Sequence, residues 1–259
     1  MRTMWQWVGS CLVALATAWP AQAALVADSV LDYSAVQGAG GWSYGYFNHT
    51  ALGTYSSAGF TAFALYDAGD ERWHASAAQV GAQNNVYLST NRFGGHPNGL
   101  GPDSQDANIW AMRRWVSDVD GPVRLSFDLR KINTNPAAGG VTGHIFVDGV
   151  EVFSSFIATT DDAGIQSFLM LDVGVGTLID FAIDPTGVVV PGRADHVESA
   201  RADGTHFSAN IVTVEVPEPA SLGLVLAGLC GFCAVRGARQ PRRRAAGFNP
   251  AASSSAGRA

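Results

Sequence analysis

The sequence has three cysteines in 259 residues, and none of them lies between residues 24 and 216. Cys11 lies in an apolar N-terminal segment, and Cys230 and Cys233 lie in an apolar C-terminal one. A disulfide framework in the central body is therefore excluded, and a body of this length can bury enough core without one. Cys230 and Cys233 have C-x-x-C spacing but follow no predicted strand, so we interpret them as small apolar side chains.

Basic residues are scarce in the central body. The whole chain has one lysine, Lys131, and residues 24–216 contain nine basic and twenty-one acidic residues, a formal charge of −12. Proteins that bind nucleic acid present a basic surface to the phosphates. We therefore predict that nucleic acid is not a partner.

The motifs of several common cofactor and metal sites are absent as well. The sequence has no phosphate-binding loop, dinucleotide fingerprint or H-E-x-x-H. The six histidines are scattered without an i, i+4 pair, and acidic pairs such as Asp161-Asp162 fit solvated turns. We predict a non-catalytic protein without a cofactor. A carbohydrate-active hydrolase stays open as the alternative, because a sequence does not show the separation of two carboxyl groups.

The N-terminus has the features of an export signal. Arg2 precedes an apolar run over residues 8–19, and Ala21-Gln22-Ala23 provides small residues on both sides of a cleavage site. This pattern predicts a signal peptide over residues 1–23, cleaved after Ala23.

The C-terminus contains three different segments in order. Pro217-Glu218-Pro219 interrupts regular structure, an uncharged apolar run covers residues 220–235, and an arginine cluster follows. An apolar run with a basic end predicts a transmembrane helix at about residues 220–235, with its basic end in the cytoplasm. Residues 245–259, rich in Ala, Ser and Gly, are predicted to be a disordered tail.

This C-terminal order over residues 216–244 resembles the PEP-CTERM sorting signal of Gram-negative bacteria. The resemblance implies processing by an exosortase, with Pro217, Glu218 and Pro219 as the recognition triplet and Arg242, Arg243 and Arg244 as the basic stop. It also implies that the C-terminal helix anchors the protein in the inner membrane during sorting. The expected destination is the cell surface or the exopolysaccharide matrix, with exopolysaccharide as a candidate partner.

Residues 24–215 are predicted to form one all-β domain, a jelly-roll-type antiparallel β-sandwich. Residues 123–129 alternate without error, and Asp148-Gly149 separates two β-rich runs in the manner of a hairpin turn. We also predict strands over residues 60–66, 109–116, 167–173, 178–183 and 205–216, and a loop over residues 94–106. Strands with Gly-rich turns and no amphipathic helix are typical of sandwiches.

A second resemblance covers short pieces spread over most of this body. They are residues 42–45, 96–97, 112–115, 143–149, 179–185 and 203–207. In this order they are similar to jelly-roll modules of exported bacterial proteins, whose architecture is similar to that of carbohydrate-binding and galactose-binding-like domains. The resemblance implies the fold and does not fix the function.

Aromatic residues supply candidate glycan-binding positions. Trp42, Tyr44, Tyr46 and Trp73 could stack on sugar rings, while nearby acids and Arg113 or Arg114 bind hydroxyl groups. The alternative is that the rings are core, which we favour for Trp110 and Trp115.

Four aspartates are candidate calcium ligands: Asp28, Asp32, Asp184 and Asp203. Calcium prefers several oxygen ligands, and strands near the two ends of such a domain commonly meet. The sequence has no EF-hand loop, so a calcium site in the body would have to be assembled from these separate aspartates.

Overall fold

Strands with alternating side chains dominate the computed structural model, which describes residues 23–76, 88–97, 108–136, 139–187 and 203–214. The segment that resembles a sorting signal, the predicted tail and all of the predicted signal peptide except Ala23 lie outside the described residues. Within the described ranges, no helix has the length and apolar character needed to cross a membrane.

The described residues form fourteen strands and one short α-helix, α1 (His49–Leu52). The strands are β1 (Leu25–Asp28), β2 (Trp42–Asn48), β3 (Thr61–Ala62), β4 (Leu65–Asp67), β5 (Arg72–His74), β6 (Ser89–Asn91), β7 (Gly94–His96), β8 (Ile109–Val116), β9 (Gly121–Lys131), β10 (Val141–Val147), β11 (Val150–Ile157), β12 (Ile165–Val173), β13 (Leu178–Asp184) and β14 (Thr205–Thr213).

The strands form two antiparallel sheets. Sheet A has the order β12-β9-β14-β7-β6-β5-β4, and β1 also pairs with β14. Sheet B has the order β11-β10-β13-β8-β2-β3. The prediction of an all-β antiparallel sandwich is confirmed at this level.

The core lies between the two sheets and follows the period-two pattern. In β9, Val123, Leu125, Phe127 and Leu129 are buried, as the alternation predicts. They belong to one cluster with Ile145, Ile179, Phe181 and Ile211. Because alternate side chains point to opposite faces, Arg124, Ser126 and Asp128 lie on the outer face of sheet A.

The predicted hairpin at Asp148-Gly149 is confirmed. Both residues have positive φ, 48° and 85°, which is the backbone of a type I′ turn. β10 and β11 pair on either side of it, with Val147 opposite Val150. The strands predicted over residues 109–116, 167–173 and 178–183 are also present, with small shifts of their ends.

The strand predicted over residues 60–66 is wrong, because the chain changes sheets there. β3 pairs with β2 in sheet B, and β4 pairs with β5 in sheet A. Between them Phe63 is buried in the core. A run of apolar residues does not reveal that its two halves belong to different sheets.

The loop predicted over residues 94–106 is wrong at its start, where β7 pairs with β6 and β14. A Cβ at Gly94 would lie 1.9 Å from the carbonyl oxygen of Thr205. The glycine that suggested a loop is therefore needed for close approach of two strands. Residues 98–107 lie outside the described residues.

The two ends of the described domain lie side by side. The Ala24 amide donates to the Thr213 hydroxyl at 2.9 Å, and the Thr213 amide donates to the Ala24 carbonyl at 2.9 Å. β1 and β14 are antiparallel, so both ends are at the same end of this pair.

Candidate functional site

The rings predicted to bind glycan are core residues. Trp42 and Tyr44 are 0% exposed and Trp73 is 5% exposed, and Tyr46 is partly buried against the same cluster. A ring needs an open face to stack on a sugar, so the prediction is corrected to a core role for Trp42, Tyr44 and Trp73. The alternative that these rings are core is the one that the structure supports.

The neighbouring tryptophans and Arg113 are buried as well. Trp110 and Trp115 are buried, as predicted. Arg113 is also buried between the sheets, where it donates to the carbonyls of Asn91 and Gly94. Burial lowers the pKa of Arg113 to about 10. Arg113 is therefore not available to bind a hydroxyl group at the surface.

The four predicted calcium ligands do not converge on one point. Asp28 and Asp32 are neighbours, because the Asp28 amide donates to Asp32 Oδ2 at 2.7 Å. Asp184 lies 3.6 Å from Nε2 of His144, whereas Asp203 is fully buried and 2.7 Å from Nζ of Lys131. Asp28 is opposite Asn210, seven residues along the chain from Asp203, which corresponds to about 23 Å of strand.

The buried Asp203–Lys131 pair explains one of these positions without a metal. Burial raises the pKa of Asp203 to about 7, against the opposing effect of Lys131. The same burial lowers the pKa of Lys131, which Asp203 partly offsets. This aspartate has a cation partner already in the core.

The predicted sorting residues Pro217, Glu218, Pro219, Arg242, Arg243 and Arg244 lie outside the described residues.

An open groove of about 700 Å³ lies on the outer face of sheet A. Its floor is made by outward side chains of β9 and β14, and its sides by β12 and by the turn after β1. The residues whose side chains define it are Asp28, Val30, Leu31, Arg124, Ser126, Asp128, Gln166, Phe168, Ser208 and Asn210. Sequence reasoning did not predict this site.

Strand register aligns the groove residues in two rows across the sheet. The first row runs from Phe168 through Ser126 and Asn210 to Asp28, and the second contains Gln166, Asp128 and Ser208. Adjacent strands are about 4.8 Å apart, so the first row spans about 14 Å. Hydrogen-bonding side chains therefore line a path of this length, with an exposed ring at one end.

Phe168 provides that ring and is 52% exposed. The guanidinium of Arg124 lies 4.5 Å from the ring centroid, which is the geometry of a cation–π contact. The contact holds the ring at the side of the groove and leaves part of it open to solvent. On the opposite side, Leu31 is 75% exposed.

The floor has an acceptor without a partner. Oδ1 of Asp128 is buried and has no hydrogen-bond partner among the described residues. The other oxygen of Asp128 lies 3.3 Å from Nε of Arg130 and 3.7 Å from Nε2 of His206. A buried unpaired carboxylate oxygen has lost hydration, and rotation of the Asp128 side chain toward the groove would let it accept from a hydroxyl donor of a ligand.

The outer face of sheet B is different, because residues 48–60 cover it. Phe47, Trp110, Met112, Phe146 and Ala182 form a second buried cluster, with Tyr55 and Phe60 packed against it. Asp180 is 0% exposed there and binds Arg114 through two contacts of 2.6 and 2.9 Å. The Tyr55 hydroxyl donates to the same carboxylate at 2.5 Å.

His144 lies on the same covered face and stacks on Trp110, with ring centroids 4.9 Å apart and an interplanar angle of 7°. Its Nδ1 lies 2.5 Å from Glu151 and its Nε2 lies 3.6 Å from Asp184. Burial alone lowers the pKa of His144, but the two carboxylates outweigh burial and raise it above the ordinary value.

No family model matches the chain, and no curated protein matches it. Several solved structures are similar to the chain. A family 35 carbohydrate-binding module from Clostridium thermocellum is 10% identical with a TM-score of 0.28, covering 58% of this chain and 98% of that chain. CBM51 from Clostridium perfringens GH95, solved in complex with methyl-galactose, is 10% identical with a TM-score of 0.25, covering 65% and 99%.

An adhesin domain is similar over a larger share of the chain. The K3 domain of Lys-gingipain from Porphyromonas gingivalis is 10% identical with a TM-score of 0.32, covering 74% of this chain and 100% of that chain. At TM-scores of this size the similarities carry no argument about function.

Proposed function

We propose that this protein is an exported, non-catalytic glycan-binding protein. Its jelly-roll body binds a glycan in the groove on the outer face of sheet A. The observation that carries the proposal is the row of Phe168, Ser126, Asn210 and Asp28, in which an exposed ring and polar side chains line one open path.

The chemistry of the groove fits a polyhydroxylated and uncharged ligand. Carboxylates accept hydrogen bonds from hydroxyl groups, and Ser, Gln and Asn side chains both donate and accept. The apolar face of a sugar ring packs on an aromatic ring such as Phe168. Asp28 and Asp128 outnumber Arg124 in the groove, which disfavours a polyanion.

The test is titration of the purified protein with the host's own exopolysaccharide. We expect saturable heat for the unmodified protein and strongly reduced heat for Phe168→Ala. Met170→Ala is the control, because Met170 is equally exposed on the same strand but does not line the groove. Absence of heat, or equal heat for the two variants, would contradict the proposal.

The same samples separate binding from hydrolysis. A non-catalytic protein leaves the polysaccharide chains intact after long incubation, whereas the hydrolase alternative releases new reducing ends. Reducing-end release that is lost in Asp128→Asn would replace the binding proposal with the hydrolase.

Export through the PEP-CTERM signal is the second part of the proposal. It is supported by Pro217-Glu218-Pro219, the apolar run over residues 220–235 and the arginine cluster. An exosortase acts at this signal in the inner membrane, and the body reaches the surface or matrix. Intact mass of the protein from host cells tests this. Replacing Pro217, Glu218 and Pro219 by Ala should leave the C-terminal segment uncut in the membrane fraction.

A further inference from the structure

A histidine and two aspartates come together at the hairpin formed by β4 and β5. Asp67 closes β4, Asp70 lies in the turn and His74 closes β5. Within the described ranges, this is the group of three or more His, Cys, Asp or Glu side chains that could hold a metal ion: one ligand atom from each lies within 4.8 Å of the others. The hairpin is at the edge of sheet A.

His74 is the feature that separates this group from an ordinary acidic turn. Its side chain is 2% exposed, yet neither Nδ1 nor Nε2 has a hydrogen-bond partner among the described residues. Nε2 is directed toward the acidic group and lies 3.6 Å from Oδ2 of Asp70. A buried imidazole without hydrogen bonds is costly, and a metal ion would satisfy one of its ring nitrogens.

We propose that Asp67, Asp70 and His74 form a binding site for a divalent transition-metal ion such as zinc. One nitrogen and two carboxylate oxygens are a donor set that zinc accepts, with a fourth position for water. Calcium prefers six to eight oxygen ligands and does not favour imidazole. The proposed metal site lies in the β4–β5 hairpin, and none of its three residues lines the glycan groove.

The geometry requires only a small contraction. Ligands about 2.1 Å from a tetrahedral zinc ion are about 3.4 Å from each other. The three ligand atoms lie within 4.8 Å of one another, so they have to move closer by up to about 1.4 Å. Asp70 is exposed and Asp67 is partly exposed on a turn, where such a movement is inexpensive.

Arg72 is the competitor of the metal ion. Its Nε lies 3.6 Å from Oδ2 of Asp70, the same oxygen that faces His74. The side chain is 35% exposed, so it can turn into solvent when a cation binds. Loss of this guanidinium should therefore strengthen metal binding, which distinguishes a metal site from a simple ion-pair cluster.

The test uses the full-length protein in detergent with Cys230→Ser and Cys233→Ser, because that C-x-x-C pair could also bind zinc. Calorimetric titration with zinc should give one site, and the Tm should rise with zinc concentration. Asp70→Asn and His74→Gln should each weaken binding by at least about tenfold, the lower limit seen even for outer-shell partners of metals.

Two further variants make the result specific. Arg72→Gln should tighten zinc binding, and Asp162→Asn, an exposed aspartate outside this group, should leave it unchanged. If His74→Gln does not fold, the exposed Asp70→Asn carries the test. Absence of zinc binding, equal affinity in Asp70→Asn, or an equal Tm increase with calcium would overturn the proposal.

Discussion

The outer faces of the two sheets differ in what covers them. The outer face of sheet A is open, and its strands keep the simple alternation of buried and exposed positions, as in β9. The outer face of sheet B is covered by residues 48–60, so β13 is buried on both faces from Ile179 to Asp184.

This difference shows which polar side chains stabilise the fold and which are available to a ligand. Asp180, on the covered face, is already bound by Arg114 and Tyr55. Asp128, on the open face, keeps one oxygen without a partner among the described residues. Asp180 and Asp128 both lie at outward positions, one in each sheet, but only Asp180 has its carboxylate fully engaged by other side chains.

The largest expected effect comes from removing the carboxylate of the covered face. Asp180→Ala leaves the partly buried guanidinium of Arg114 without its ion-pair partner. Loss of one member of a buried pair costs about 3–5 kcal/mol. Urea unfolding followed by intrinsic fluorescence measures the loss.

The matched variant on the open face is Asp128→Ala. Its contacts with Arg130 and His206 are long, at 3.3 and 3.7 Å, and Arg130 is 43% exposed, so unfolding free energy should change by less than about 1 kcal/mol. Glycan titration should show the reverse order, with binding weakened by this variant. Equal stability losses for Asp180→Ala and Asp128→Ala would break the distinction between the two faces.

The next effect concerns the ring that flanks the groove. Phe168→Ala should weaken glycan binding by about tenfold, which corresponds to about 1.4 kcal/mol. Phe168 is half exposed, so its loss should leave stability within about 0.5 kcal/mol of the unmodified protein. Tyr55→Phe is the contrast, since it removes a hydroxyl from the covered face and should affect stability without affecting titration.

The smallest expected effect is a pH dependence on the covered face. Asp184 and Glu151 raise the folded-state pKa of His144 against the effect of burial. A raised folded-state pKa stabilises the fold below the unfolded value of about 6.5, and the stabilisation is lost as pH rises through the folded-state pKa. When the unfolding free energy is measured as a function of pH, the His144→Gln variant should lack this pH-dependent contribution. Identical pH profiles for the variant and the unmodified protein would contradict the prediction.

The sequence predicted the parts of the fold that local pattern controls. β8, β9 and the β10–β11 hairpin follow from alternation and from Asp148-Gly149. The single strand predicted over residues 60–66 is wrong because the two halves of this run pair with different sheets. The loop predicted from Gly94 is wrong at its start because close approach of two strands requires glycine, the same residue that is common in loops. Neither the apolar run nor the glycine indicates which distant strand the segment pairs with.

The groove was missed for a related reason. Its polar residues come from distant parts of the chain and are ordinary Ser, Asp, Asn and Gln side chains that only strand register aligns. One signal was present: the alternation that placed Leu169 and Leu171 inward placed Phe168 outward. By contrast, the aromatic residues predicted to bind glycan include Trp42 and Tyr44, which are buried in the core because of their large apolar area.

The adjacent ends of the domain have a mechanical consequence. Ala24 and Thr213 are at the same end of the antiparallel β1–β14 pair. A pulling force applied between them loads the hydrogen bonds at this end of the pair first, and each rupture passes the load to the next. Tension between these two residues therefore separates β1 from β14 one hydrogen bond at a time, at lower force than a geometry that shears all the bonds together.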